Sequence, residues 1–281
     1  MSIVVFGASG NVGREVVAGL NSVAVKVRLT SRAPDAARLP AGAEVVVADL
    51  DRSETMPAAL EGADSVFVYA RPAGLDGFVA AAEAAGVQHV VLLSSAAASD
   101  PEPESNPIAW THFRCESALR ASKLAWTFLR PGMFATNLIW WWQKSIREHD
   151  LVHLPYPDAR IAAVHEKDIA AMAVTALTTP GHRQATYPVT GPEAITMREQ
   201  VRHIAAAVGR DIAVVETSVD QARAALERTV APVVATAILD GWRAATESTP
   251  PVSTSVEDVT GRPAQSFAEW ARDHAADFVR R

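Results

Sequence analysis

Val4-Val5-Phe6-Gly7-Ala8-Ser9-Gly10-Asn11-Val12-Gly13-Arg14-Glu15-Val16-Val17 opens as a β-branched run, breaks at Gly7 and resumes as a helical pattern from Asn11. Strand, tight turn and helix therefore follow one another without a spacer. Such a turn needs glycine three times: for a backbone conformation that a Cβ forbids, for close approach of a pyrophosphate to the main chain, and for close helix–strand packing. The N–H groups from Asn11 to Gly13 and the positive end of the helix dipole then face the phosphates. Gly7-x-x-Gly10-x-x-Gly13, with Ser9, Asn11 and Val12 between the glycines, predicts a dinucleotide cradle; a purely structural strand-to-helix turn is the alternative.

A chain of 281 residues that is 49% hydrophobic can bury a large core, as one big domain or two small ones. The formal net charge is −6, there is no basic block and only four lysines are present, which argues against nucleic acid as a partner. The single cysteine, Cys115, excludes an intramolecular disulfide and a multi-cysteine metal site, and suits a reducing compartment, with the cytoplasm as the default. No signal-peptide pattern opens the chain and no apolar run reaches the ~18 residues that span a bilayer, so no membrane partner is expected.

Strands are expected at Val23–Leu29, Glu44–Ala48, Ser65–Ala70, Gln88–Leu93, Ala125–Leu129 and Ile161–Val164, after the opening one. Amphipathic runs such as Ser53–Glu61, Gly74–Ala85 and Ser105–Ser122 alternate with them, the mark of a doubly wound, Rossmann-type parallel sheet of the α/β class. From Gly191 the pattern turns helical (Thr196–Val208, Val219–Glu227, Ala231–Ala245, Ser266–Val279), with a break at Ile212–Glu216 and a Pro/Ser/Thr-rich link at Ser248–Ser255. The expected division is a cofactor domain over 1–190, of which 131–158 contribute to the substrate cleft, and a smaller, mostly helical lobe over 191–281.

Ligands of an open parallel sheet sit beyond the carboxyl ends of its strands. At the end of strand two, a carboxylate would bind the ribose hydroxyls of NAD and repel a 2′-phosphate; the residues here are Thr30, Ser31 and Arg32. Two hydroxyls and a guanidinium favour NADP(H), with NAD(H) as the alternative if Arg32 is a solvated loop residue and Asp35 or Asp49 supplies the carboxylate. Asp49 and Leu50 are placed to border the adenine, although Asp49 suits a turn or helix cap equally well. Strand four ends in Tyr69-Ala70-Arg71 and strand five in Ser94-Ser95, where the serines either meet a ligand or cap a turn.

With Gly7–Gly13, Ser94-Ser95 and Leu129-Arg130-Pro131-Gly132-Met133-Phe134-x-x-Asn137 in view, the chain resembles the atypical short-chain dehydrogenases/reductases, and within them the NmrA-like group that includes NAD(P)H-dependent quinone oxidoreductases. The resemblance implies a Rossmann domain, bound NADP(H) and a substrate cleft beside the smaller lobe, with Ala70, Arg71, Ser94 and Pro131 among the cofactor contacts. Its members divide between reductases and cofactor-binding regulators that do not turn over, and the fold also hosts isomerases and lyases.

Ordinary short-chain reductases carry a Tyr-x-x-x-Lys pair whose ammonium lowers the phenol's pKa. None of the three tyrosines here, Tyr69, Tyr156 and Tyr187, has lysine four residues on. In the matching helix stand His112 and Glu116, one turn apart on one face, similar to the His-x-x-x-Glu of quinone-reducing NmrA-like proteins. The expected catalytic set is His112 as the acid, Glu116 to orient it or raise its pKa, and Ser95; the alternative is a pair that only steadies the helix. The missing tyrosine harms a quinone reductase least, because a reduced quinone is a stabilised aryl-oxide that water can protonate. Tyr69, Met133, Phe134, Asn137 and Trp141 are the expected contacts to a small aromatic or quinonoid substrate. Trp140-Trp141-Trp142 cannot all share one helical face, so core packing plus a homodimer contact is the other reading of that run. His149, His153 and His165 lack ligand spacing, so no metal is expected.

Overall fold

The computed structural model describes residues 1–34 and 39–280. In chain order the elements are β1 (Ser2–Val5), α1 (Asn11–Asn21), β2 (Lys26–Ser31), β3 (Glu44–Val47), α2 (Met56–Leu60), β4 (Ser65–Tyr69), α3 (Pro72–Ala84), β5 (His89–Leu93), α4 (Pro107–Ala121) and β6 (Ala125–Pro131). They continue with α5 (Asn137–His149), β7 (Leu151–Leu154), β8 (Arg160–Ile161), α6 (Glu166–Thr178), β9 (Ala185–Val189), β10 (Ile195–Thr196), α7 (Met197–Val208), β11 (Ala213–Glu216), α8 (Val219–Leu226), α9 (Pro232–Glu247), α10 (Ser255–Thr260), α11 (Phe267–Asp273) and α12 (Ala275–Phe278). The chain forms two compact units: Met1–Pro131, Glu166–Val189 and Ser255–Gly261 make the first, and Gly132–His165, Thr190–Thr254 and Arg262–Arg281 the second.

The first unit is a seven-stranded sheet in the order β3-β2-β1-β4-β5-β6-β9, parallel throughout. Alternate residues of each strand face opposite sides. Val4, Phe6, Val66, Val68, Val90 and Leu92 join one core with Met56, Leu60, Phe78, Cys115 and Leu119 of α2, α3 and α4. The intervening Ile3, Val5, Phe67 and Val91 are equally buried, toward the opposite face. Burial on both faces explains why these strands read as continuous apolar runs rather than alternating ones. α1 packs on α6, presenting Val12, Val16, Val17 and Leu20 to the interior.

The seventh strand is not where periodicity puts it. Ile161–Val164 yields only the short β8, antiparallel to β10, and an isolated bridge between Val164 and Phe134. The sheet is completed by β9, whose Ala-Thr-Tyr-Pro-Val sequence hides its strand character: Pro188 lacks a donor, which an edge strand tolerates.

The second unit is mostly helical. Leu138, Trp142 and Ile146 of α5, Val201 and Ile204 of α7, Leu239 and Trp242 of α9, and Phe267, Trp270 and Phe278 of α11 and α12 form its core. Thr196, Ser218 and Ser266 begin α7, α8 and α11 with capping boxes, satisfying N–H groups that a helix start otherwise leaves open. The helix expected over 266–279 is interrupted at His274. Leu151–Leu154, which the periodicity leaves unassigned, pairs in parallel with Ala213–Glu216. Among the described residues no helix is long and apolar enough to cross a membrane.

Gly74 shows how tightly α3 sits: a Cβ there would collide with the Leu50 carbonyl oxygen, whereas one on exposed Gly241 in α9 would meet nothing within 4 Å. Gly74→Ala is expected to destabilise the fold by about 2–3 kcal/mol through overpacking, and Gly241→Ala to stabilise it by about 0.5–1 kcal/mol through helix propensity. Urea denaturation of the two variants checks both signs.

Candidate functional site

The parallel strands of the first unit carry the chain to one edge of the sheet, and the residues just beyond them form a row. At its centre Phe6 donates its N–H to the Phe67 carbonyl at 2.9 Å, after which Gly7 turns with φ 71°, a left-handed conformation that favours glycine. The Gly10 N–H closes the turn on the Gly7 carbonyl at 2.9 Å. A Cβ on Gly13 would lie inside contact distance of that same carbonyl, so the helix can begin here only without one. The N-cap is Gly10, with no side chain to cap the helix, and the first turn of α1 contains no acidic residue. The first N–H groups of α1 have no intrahelical partner, and no acidic residue of the first turn offsets the positive helix end. These features fit a bound diphosphate. Ser9 and Gly10 are exposed, Asn11 is half-buried, and Val12 turns its side chain into the core, leaving its main chain for a ligand.

On the β2–β3 side, Arg32 is exposed and Ser31 Oγ accepts the Ala33 N–H at 3.2 Å. Asp49 holds a turn together, since its carboxylate accepts the Asp51 N–H at 3.1 Å while its own N–H donates to Thr55 Oγ1 at 3.0 Å. Leu50 is 2% exposed and its side chain belongs to the core, which leaves only its main chain for the adenine border expected of it. The carboxylate that sequence reasoning missed is Asp51. It takes Arg71 Nε on both oxygens, at 2.9 and 3.1 Å, and Arg71 Nη2 on Oδ2. The Arg71 hydrogen bond holds the Asp51 carboxyl below its usual range, and the Arg32 charge acts in the same direction. The sequence signal was present in Asp49-Leu50-Asp51, two carboxylates at one strand end. Asp35 lies outside the described residues.

After β4, the Tyr69 ring covers the cradle: a Cβ on Gly7 would stand 3.0 Å from Tyr69 Cδ1. Burial pushes the Tyr69 hydroxyl above its ordinary value, so it stays protonated at neutral pH. Ala70 is tied by its N–H to the Leu93 carbonyl at 3.3 Å, and Pro131 closes β6 in register with Val189.

Beyond β5 and on α4 the sequence expectation needs correction. Glu116 does not orient His112. Its Oε1 accepts Ser94 Oγ at 2.7 Å and Arg130 Nε at 2.8 Å, and its Oε2 accepts Arg130 Nη2 at 2.6 Å and Arg120 Nη2 at 3.2 Å. Burial raises the Glu116 carboxyl, but hydrogen bonds from Arg130 and Ser94 outweigh it and hold the pKa down, so the group is a buried carboxylate. Arg130 also donates through Nη1 to Ser99 Oγ at 2.7 Å, so one guanidinium links β6, α4 and the turn after β5. Ser94 is 2% exposed with its hydroxyl engaged, leaving its main chain for a cofactor. Ser95 accepts the Ala97 N–H at 3.2 Å and caps the turn Ala96–Ser99. His112 is half-buried and its Nδ1 has no hydrogen-bond partner among the described residues. Burial lowers its pKa to about 4 although Glu116 pulls upward, the reverse of the expected net shift. A neutral imidazole is therefore present at neutral pH.

The remaining predicted residues lie in the second unit. Met133 and Phe134 are half-buried beside the bridge to Val164, with the Val164 N–H on the Met133 carbonyl at 2.9 Å. Asn137 begins α5. The tryptophan run splits as its spacing requires: Trp142 is core, Trp140 is 66% exposed, and Trp141 meets Trp242 edge-on at 5.2 Å.

Residues 7–180 match the sequence model of a family described as NAD(P)H-binding. The chain is 40% identical to a (4-alkanoyl-5-oxo-2,5-dihydrofuran-3-yl)methyl phosphate reductase of Streptomyces griseus, over 99% of each chain. It is 35% identical to an NAD(P)H azoreductase of Xenophilus azovorans, over 98% of this chain and 99% of that one. Among solved structures, an NADPH-dependent quinone oxidoreductase of Escherichia coli superposes with a TM-score of 0.81 at 24% identity, covering 96% of this chain and 98% of that one; this likeness speaks for the fold.

His89 and His112 are both held down to about 4, chiefly by burial. With folded values below the unfolded 6.5, their neutral forms support the fold fully above pH 6.5, and that support is lost as pH falls toward about 4. His112→Gln is expected to make the decline in urea midpoint across that window shallower. An unchanged slope would contradict the burial of the imidazole.

Proposed function

The chain belongs to the NAD(P)H-binding family and is an NAD(P)H-dependent oxidoreductase, and from that premise we propose that it reduces a quinone or a similarly conjugated carbonyl compound with NADPH. What supports this reading is the neutral, half-buried His112 on α4, the helix that by resemblance matches the one where ordinary short-chain reductases carry their tyrosine and lysine. A neutral imidazole N–H can donate a hydrogen bond to a developing oxyanion but is too weak an acid to protonate an isolated alkoxide. A conjugated acceptor spreads the charge that arrives with a hydride, so such a donor suffices and water supplies the proton. The names of the two relatives support an unsaturated acceptor, since one describes an alkanoyl-bearing dihydrofuranone and the other azo reduction.

NADPH, when bound, supplies the hydride. In this proposal the main chain from Gly7 through Ser9, Gly10, Asn11, Val12 and Gly13 binds the diphosphate, and Ser31 and Arg32 bind the 2′-phosphate. The main chain at Asp49 and Leu50 borders the adenine, while Ala70, Arg71, Ser94 and Pro131 flank the coenzyme further along the row. Glu116 becomes a positioning residue: fixed by Arg130 and Ser94, it anchors the helix that carries His112. Ser95, Tyr69, Met133, Phe134, Asn137 and Trp141 are assigned to the substrate. The division of labour is cofactor binding in 1–190, with 131–158 reaching the substrate, and a substrate lobe in 191–281. The reaction is placed in the cytoplasm, a reducing setting that suits the buried Cys115 thiol, which burial raises to about 11.

Purified protein incubated with NADPH and a panel of quinones is expected to consume nicotinamide absorbance. Tight coenzyme binding without consumption by any quinone or enone would refute the substrate assignment. His112→Ala is expected to lower kcat by about tenfold or more while leaving coenzyme affinity intact. Arg32→Ala is expected to raise the Kd for NADPH by about tenfold, some 1.4 kcal/mol, with little change for NADH. Equal losses for both coenzymes would contradict the role of Arg32.

A further inference from the structure

Helices α5, α8 and α9 and strand β7 line a half-open cavity of about 670 Å³ lying wholly within the second unit. The volume falls in the range of small-molecule sites, roughly 300–1,000 Å³. Its wall is aromatic: Trp141 and Trp242 meet edge-on at 5.2 Å, and Trp140, 66% exposed, also lines it. Packing does not account for that last side chain, because an indole two-thirds in water contributes little to a core.

Two cations share the lining with these rings. Lys144 projects from α5, and Arg228 follows α8. Neither side chain has a hydrogen bond or an ion pair among the described residues, although most other arginines of the second unit are engaged by carboxylates or carbonyls. One carboxylate, Glu148, also lines the cavity, and it faces His149 Nε2 at 3.7 Å. Apolar walls with two exposed cations against one carboxylate favour a ligand that is planar and aromatic and carries an anionic group: the ring stacks on indole and the anion meets lysine and guanidinium. We propose that this cavity binds a planar aromatic anion, a carboxylate, sulfonate or phosphate on a fused or substituted ring. The site shares no residue with the diphosphate cradle, so it is tested separately from coenzyme binding; it shares Trp141 with the proposed substrate contacts and to that extent rests on that reading.

The test is calorimetric titration of the full chain, without coenzyme, with 2-naphthoate and with its neutral counterpart 2-naphthamide. The acid is expected to bind at least about tenfold more tightly than the amide, a difference of about 1.4 kcal/mol. In Lys144→Gln/Arg228→Gln the two affinities are expected to converge within about twofold, with amide binding retained. Ala225→Trp, placed on an exposed position of α8 that lines the cavity, should abolish both while leaving the circular dichroism spectrum and melting temperature unchanged. No heat with either compound, equal affinities in the wild type, or naphthoate binding that survives Ala225→Trp would each overturn the proposal. NADPH binding measured in the same variants is expected to be unaltered, which separates failure here from failure of the cofactor reading.

Discussion

The close approach of α1 to the carbonyl of Gly7 is the constraint on which the first unit depends. Helix and strand can meet at that distance only because residue 13 lacks a Cβ. That one contact sets the line of α1, and through it the packing of α1 on α6 beside the sheet. The same approach holds the first amides of α1 beside the ends of β1 and β4, where they fit the diphosphate of a dinucleotide. Gly74 repeats the device against Leu50, so two helices are seated through missing side chains rather than through filled ones.

A second layer of order comes from buried charge. Glu116, with Ser94, Arg130 and Arg120, joins the ends of β5 and β6 to α4. A buried pair of this kind contributes little net stability, because desolvation offsets much of the attraction. Its effect is geometric: it fixes the rotation of α4, and with it the setting of His112 one turn away. The low pKa of that histidine comes from burial, which outweighs the upward pull of the Glu116 carboxylate one turn away.

How much of this was legible in the sequence depends on whether the cause was local. The glycine turn was, because each glycine answers a demand set by its immediate neighbours, and so were six of the seven main strands, because burial on both faces leaves continuous apolar runs. β9 was hidden by Pro188, which breaks a propensity pattern but costs an edge strand nothing it needs. The partners of Glu116 were hidden for a different reason. His112 stands one turn away in sequence, whereas Arg130 lies on a strand and reaches the carboxylate only after the sheet has formed. Asp51 was passed over because Asp49 stood first at the strand end, and only the fold shows that Asp49 is occupied in a turn while Asp51 faces Arg71.

The bare N-cap at Gly10 has a consequence outside catalysis. Three helices of the second unit close their own starts with serine or threonine and an acid or amide; α1 has no side-chain cap, and in the proposed cradle the coenzyme's diphosphate closes it. A helix finished by its ligand ties folding equilibrium to ligand supply, with a gain that grows as the logarithm of free coenzyme over its dissociation constant. In a cell, turnover of this polypeptide by proteases would then track the nicotinamide pool, and a starved pool would thin the enzyme as well as idle it.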